Sequence, residues 1–224
     1  MKSFGENVIS YYKSITRPEN IPGDVEVLFP FDSDEVISLT ESFYGKYFDD
    51  RNKRTFLIGI NPGRFGGGST GIPFTDPKVL EEELKIPNSL DKRHELSSRF
   101  IYRMINDLGG PEKFYESFYF TSVCPLGFVR NGKNLNYYDD KQLEEGLEEY
   151  MAEEMRKQIA FGANEVAFSL GMGKNIKFLN SFNKRHQLFS EIRPLPHPRW
   201  VMQYRLKRLE EFIAQYAEAL STFI

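Results

Sequence analysis

The sequence predicts an α/β fold, a three-layer αβα sandwich around a central, mostly parallel four-stranded sheet. Three observations carry this: four segments that read as strands, the first a short apolar run, helix-periodic segments between them, and a loop rich in glycine or proline after each strand. The strands are 55–60, 118–123, 165–170 and about 187–193. Strands separated by helices return by right-handed crossovers, which makes the sheet parallel and puts helices on both faces. Ligands of such sheets bind beyond the carboxyl ends of the strands. Those ends carry Asn61-Pro62-Gly63, Ser122-Val123-Cys124-Pro125, Gly171-Met172-Gly173 and Pro196-His197-Pro198, so the site is expected along this rim.

The elements follow in order. Ser3 and Glu6 have capping-box spacing and open a helix over 3–15. Residues 17–30, rich in proline, read as a connector, and 33–48 as a second helix with Val36, Ile37, Leu39, Phe43 and Tyr47 along its apolar stripe. After the first strand and its glycine loop come a short acidic helix and a longer one over 93–108 that stops at Gly109-Gly110. The second strand runs into a loop that continues through Asn131-Gly132-Lys133-Asn134. An acidic helix buries Leu143, Leu147, Tyr150, Met151 and Met155; a basic helix follows the third strand, and a last helix covers most of 200–221.

With 224 residues, 40% of them hydrophobic and 15% aromatic, one sizeable core suffices, and a single domain over 1–224 is expected. The one cysteine, Cys124, rules out a disulfide framework and a four-cysteine cluster within the chain. No signal-like start and no long apolar run is present, so a soluble, cytoplasmic protein without membrane contact is expected, nucleoid-associated in a bacterium. The net charge of −3 argues against indiscriminate polyanion binding, yet charge is unevenly spread. Nine Lys/Arg stand against Glu191 between 174 and 208, and eight acids against Lys141 between 139 and 154. The basic stretch reads as a polyanion footprint or as a solvated face.

The loop after the first strand holds glycines at 63, 66, 67, 68 and 71 and prolines at 62 and 73, a shaped loop that lets a ligand come close to the backbone. The phosphate-loop pattern GxxxxGK[ST] is missing, and no GxGxxG follows the strand. Asn61 could orient a water or read a base edge, or close an Asx turn on its own backbone. His197, between two prolines, could donate a hydrogen bond to a developing anion or serve the structure alone. Phe65 and Phe74 could stack on a planar ligand or pack in the core. Cys124 reads as a small buried residue more readily than as a nucleophile. His94 and His186 lack ligand spacing, so neither a metal nor another cofactor is expected.

Together, GINPGRFGGGSTGIPF at 59–74, SVCPLGF at 122–128 with GKNL at 132–135, and LPHPRW at 195–200 resemble the uracil-DNA glycosylase superfamily, and most closely its single-strand-selective monofunctional family. That family's first motif, G-M-N-P-G-P-F-G-x-x-x-T-G-V-P-F, matches without a gap. The resemblance implies a monomeric αβα enzyme that needs no cofactor and hydrolyses the N-glycosidic bond of a uracil flipped from single- or double-stranded DNA. It implies that Asn61 holds the attacking water, His197 bonds the departing base anion and Phe74 stacks on the base. Gly63 to Phe65 would line the pocket.

Two departures stand out. Ser122 replaces the family's base-reading asparagine, and a hydroxyl cannot make the carboxamide's paired contact, which opens the base range to hypoxanthine, xanthine or 5-substituted uracils. The last motif is shortened to His197-Pro198-Arg199-Trp200, making Arg199 and Trp200 candidates to fill the gap left by the flipped base, with Trp200 as a core anchor the other reading. Lys174 and Arg205, in the basic stretch around this loop, are the matching candidates for DNA contacts. From the residues alone, a non-catalytic nucleic-acid-binding protein and a small-molecule nucleotide-binding enzyme also stay open.

Overall fold

The computed structural model describes residues 2–224. In chain order the elements are α1 (Phe4–Ser14), β1 (Glu26–Leu28), α2 (Asp34–Tyr47), β2 (Arg54–Gly59), α3 (Gly67–Thr70), α4 (Pro77–Glu82), α5 (Leu96–Asp107), α6 (Pro111–Ser117), β3 (Phe118–Ser122), β4 (Gly127–Arg130), β5 (Lys133–Leu135), α7 (Lys141–Ile159), β6 (Ala163–Leu170), α8 (Lys174–His186), β7 (Glu191–Leu195), α9 (Pro198–Tyr204) and α10 (Leu209–Leu220). The capping box forms as expected: Glu6 N–H donates to Ser3 Oγ, and Ser3 N–H to the Glu6 carboxylate.

The central sheet has the order β3-β2-β6-β7, and every neighbouring pair is parallel. Helices flank it in the expected αβα layering. The β2 and β3 strands are buried along their whole length, which explains the unbroken apolar and aromatic stretches at 56–58 and 118–120. After β2 the chain goes to β3 on one side, and after β3 it crosses to β6 on the other. The crevice at which these directions diverge lies beyond the ends of β2 and β6, the usual ligand position in such sheets. Pro194 falls inside β7, paired with Ser169, and is tolerated because β7 is an edge strand.

Four sequence expectations change. The fourth strand spans 191–195 rather than 187–193. The last helix is two, α9 and α10, separated by a 3₁₀ turn at Leu206–Arg208. The connector before residue 30 contains β1, and the loop after Cys124 is a β4–β5 hairpin; together they form a second, antiparallel sheet in the order β1-β4-β5. Asn131 and Gly132 turn the hairpin with φ of 51° and 70°, the left-handed pair that an Asn-Gly step supplies.

Arg54 is fully buried at the start of β2. Its guanidinium pairs with Asp50 at 2.6 Å, donates to Tyr115 O and Asn52 O, and lies over the Phe4 and Phe48 rings, so the buried charge is fully met.

Candidate active site

A cleft of about 870 Å³ opens at the carboxyl ends of the sheet. Its walls come from all four predicted strand-end loops: Asn61 to Phe65, Ser122, Gly171 to Lys174, and Pro196 to Trp200. The β4–β5 hairpin adds Lys133 and Asn134, and the start of α5 adds Glu95 and Ser97.

Asn61 does not close an Asx turn. Its Nδ2 donates to Leu135 O at 3.1 Å, and its Oδ1 accepts from Tyr137 N–H at 3.3 Å. Both bonds reach across to the segment after the hairpin and fix the carboxamide's orientation. One Nδ2 hydrogen and one Oδ1 lone pair are left over, enough to hold a water.

Phe74 has φ of +56°, an uncommon conformation for an aromatic residue and one that the surrounding loop must enforce. Thr70, fully buried, supplies that enforcement: its Oγ1 donates to Thr75 O at 2.8 Å and accepts from Ile72 N–H at 3.2 Å. The Phe74 ring reaches back to the end of β2, where a Cβ on Gly59 would lie 2.8 Å from its tip and 3.4 Å from Ser122 Oγ. Glycine at 59 is therefore a requirement of the aromatic floor. Ser122, at 5% exposure, lines the cleft beside it.

His197 caps α9 through Nδ1, which accepts from Arg199 N–H at 3.1 Å. The neutral ring must then carry its proton on Nε2. Burial, with the Arg199 guanidinium adding to it, lowers its pKa to about 4, so the imidazole is a neutral donor near pH 7. Tyr216 of α10, packed edge-on against Phe100, donates its hydroxyl to Pro196 O and anchors the loop. Nothing in the local sequence around His197 signalled this long-range support.

The other expected residues fall in different places. Gly63 lines the cleft. Phe65 stands at its mouth, 38% exposed, with the Arg64 and Arg93 guanidinium groups 4.6 and 5.1 Å from the ring centre. Arg199 and Lys174 line the cleft, Lys174 paired with Asp139 at 3.3 Å. Trp200 is 40% exposed; one edge meets Phe212 of α10 and Arg205 lies 4.9 Å over the ring. It is thus both an anchor and a cleft wall, and Arg205, outside the cleft lining, lies against it.

The basic stretch is not one open face. Arg185 pairs with Glu148 of the acidic α7, Arg193 with Glu191 and Arg208 with Glu211, so nearby acids neutralise part of it. The positive lining of the cleft comes from Arg64, Lys133, Lys174 and Arg199, two of which lie outside that stretch. Cys124 is fully buried and its thiol is pushed up to about 12, which removes it as a nucleophile. Among the described residues no group of three or more His, Cys, Asp or Glu could hold a metal ion, and no helix is long and apolar enough to cross a membrane.

Comparison with known proteins agrees with this fold. The crystal structure of wild-type Pedobacter heparinus SMUG2 superposes with a TM-score of 0.95 at 43% identity, covering 99% of this chain and 98% of that one. The single-strand selective monofunctional uracil-DNA glycosylase of Rattus norvegicus is 30% identical over 105 residues, 39% of this chain and 38% of the rat protein, so the match spans well under half of that relative's length. The family model of the uracil DNA glycosylase superfamily matches residues 46–221, a span that holds every strand of the central sheet and every loop of the cleft. The chain belongs to the uracil DNA glycosylase superfamily, whose members are hydrolytic DNA glycosylases.

Proposed function

We propose that the protein is a monofunctional DNA glycosylase that hydrolyses the N-glycosidic bond of uracil in DNA and acts in base excision repair. The observation that carries this is the convergence of Asn61, Phe74 and a neutral His197 in one cleft at the sheet's carboxyl edge. As the bond breaks, positive charge grows on the sugar and negative charge on the base. His197 Nε2–H meets the developing oxyanion, where one such donor is typically worth about 10²–10³ in rate. Asn61 holds the water that attacks C1′, and Phe74 stacks on the flipped base. Arg199, Lys174 and Trp200 grip the strand around it, and a monomer without metal suffices for the reaction.

Ser122 supports a wider base range, taking in hypoxanthine, xanthine and 5-substituted uracils. Its short hydroxyl can donate or accept and leaves room where a carboxamide would demand one base edge. The test uses end-labelled oligonucleotides carrying uracil, hypoxanthine, xanthine or hydroxymethyluracil, single- and double-stranded, treated with alkali after incubation. Cleavage at uracil is expected in the presence of EDTA. No cleavage in any substrate refutes the proposal, and cleavage at uracil alone refutes the wider range.

A further inference from the structure

Four cationic residues line the cleft, Arg64, Lys133, Lys174 and Arg199, and against them stands a single acid, Glu95. A carboxylate in a site for a polyanion and an anionic leaving group opposes binding, so its place there needs another reason. Capping is not that reason: Glu95 begins α5, but its side chain makes no cap bond. It turns to the glycine loop, where Oε2 crowds the point a Gly66 Cβ would take and Oε1 lies 3.7 Å from the corresponding point at Gly63. Gly63 is two residues beyond Asn61, and the Asn134 carboxamide approaches the same point at 3.3 Å. The backbone is pinned as well, since Glu95 N–H donates to the buried Asp76 at 2.9 Å.

Asn61 can orient a water but its carboxamide cannot take a proton. His197 has Nδ1 occupied and Nε2 committed as a donor. We infer that Glu95 is the proton acceptor for the attacking water, a catalytic role that rests on the glycosylase reading above. The water oxygen bonds to C1′ as the C1′–N bond breaks. The bonding pair leaves with the base, whose anion His197 holds, and the water's surplus proton passes to the Glu95 carboxylate and on to solvent. Burial raises the Glu95 pKa, Arg199 from α9 and the neighbouring Ser97 draw it back, and Asp76, with His94 at 3.9 Å from it, pushes it up again. The balance leaves a carboxylate shifted toward neutrality, as a general base requires.

The experiment is single-turnover excision of uracil from a single-stranded oligonucleotide, from acidic to neutral pH, for wild type, Glu95→Gln and Glu95→Asp. The wild-type rate is expected to fall with falling pH in a limb above the His197 transition near 4. Glu95→Gln is expected to lose about 10²–10⁴ in rate and to lack that limb, with uracil-DNA affinity and melting temperature held. Glu95→Asp is expected to keep the limb. A Glu95→Gln rate within about threefold of wild type, or an unchanged pH profile, overturns the inference. Should Glu95→Gln fold poorly, a wild-type profile without the limb overturns it equally. If wild type excises nothing at any pH, the glycosylase reading itself falls and takes this inference with it.

Discussion

Phe74 and His197 stand side by side in the cleft, ring centroids 6.4 Å apart and planes inclined by 52°, although 123 positions separate them in the chain. One supplies an aromatic face and the other a neutral donor, so in the proposed mechanism a planar base resting on Phe74 would present its edge to His197. Phe74 is held by its own loop through Thr70, whereas His197 is held by α9 and Tyr216. The proposed mechanism needs both supports at once.

Replacing His197 by alanine removes the donor without adding bulk. Single-turnover excision is expected to slow about 10²–10³-fold while affinity for uracil-containing DNA changes little. A large loss of affinity with an unchanged rate would contradict the assigned role.

Stability should depend on pH through the same residue. The folded-state pKa of His197 is about 4 against an unfolded value of 6.5, so the unfolded chain takes up the proton first as pH falls. Its contribution is constant above 6.5, falls progressively between 6.5 and about 4, and levels off below. Denaturant unfolding across that window is expected to show a smaller loss in His197→Gln than in wild type.

Gly59→Ala tests the aromatic floor. The new Cβ would sit 2.8 Å from the Phe74 ring and force it aside, at a cost of about 1–3 kcal/mol typical of overpacking. Excision is expected to fall with the melting temperature. In Phe74→Ala the same Gly59 substitution should cost little, which a double-mutant cycle would measure.

Asn61 has a structural part beside the chemical one proposed for it. Asn61→Ala deletes two bonds to the segment at 135–137, and Asn61→Asp keeps the acceptor for Tyr137 N–H but loses the donor to Leu135 O. Both are expected to lower the melting temperature modestly. Asn61→Ala should also lose about 10² or more in rate, because the water is no longer oriented.

Trp200→Ala separates a DNA contact from an anchor. Stacking of a base on an aromatic ring is worth about 1–3 kcal/mol, so single-strand affinity should fall tenfold or more while the saturated single-turnover rate holds. A fall in melting temperature without a change in affinity would reduce Trp200 to its contact with Phe212.

The sequence by itself determined the sheet and the rim. Phe56-Leu57-Ile58 and Phe118-Tyr119-Phe120 are apolar or aromatic without a break because both faces of their strands are covered, and parallel strand direction follows from the helices between them. The motifs around Asn61, Ser122 and His197 were legible for the same reason, each lying at or within two residues of the carboxyl end of a strand. Helix ends set by Ser3 and Glu6 were also local facts. The β4–β5 hairpin was missed although Asn131-Gly132 announced it, and β1 was missed because three residues among prolines pair only when β4 is present to receive them. The division of labour within the site belonged to tertiary structure. Asn61 bonds to residues more than seventy positions away, His197 owes its low pKa to burial and Arg199, and ion pairs with Asp139, Glu148, Glu191 and Glu211 take up part of the basic stretch. Glu95 carried no local signal at all, being one acid among many until the glycine loop folded against it. Hydrogen bonds and desolvation act through space, and a sequence records only the side chains that will meet, not the meeting.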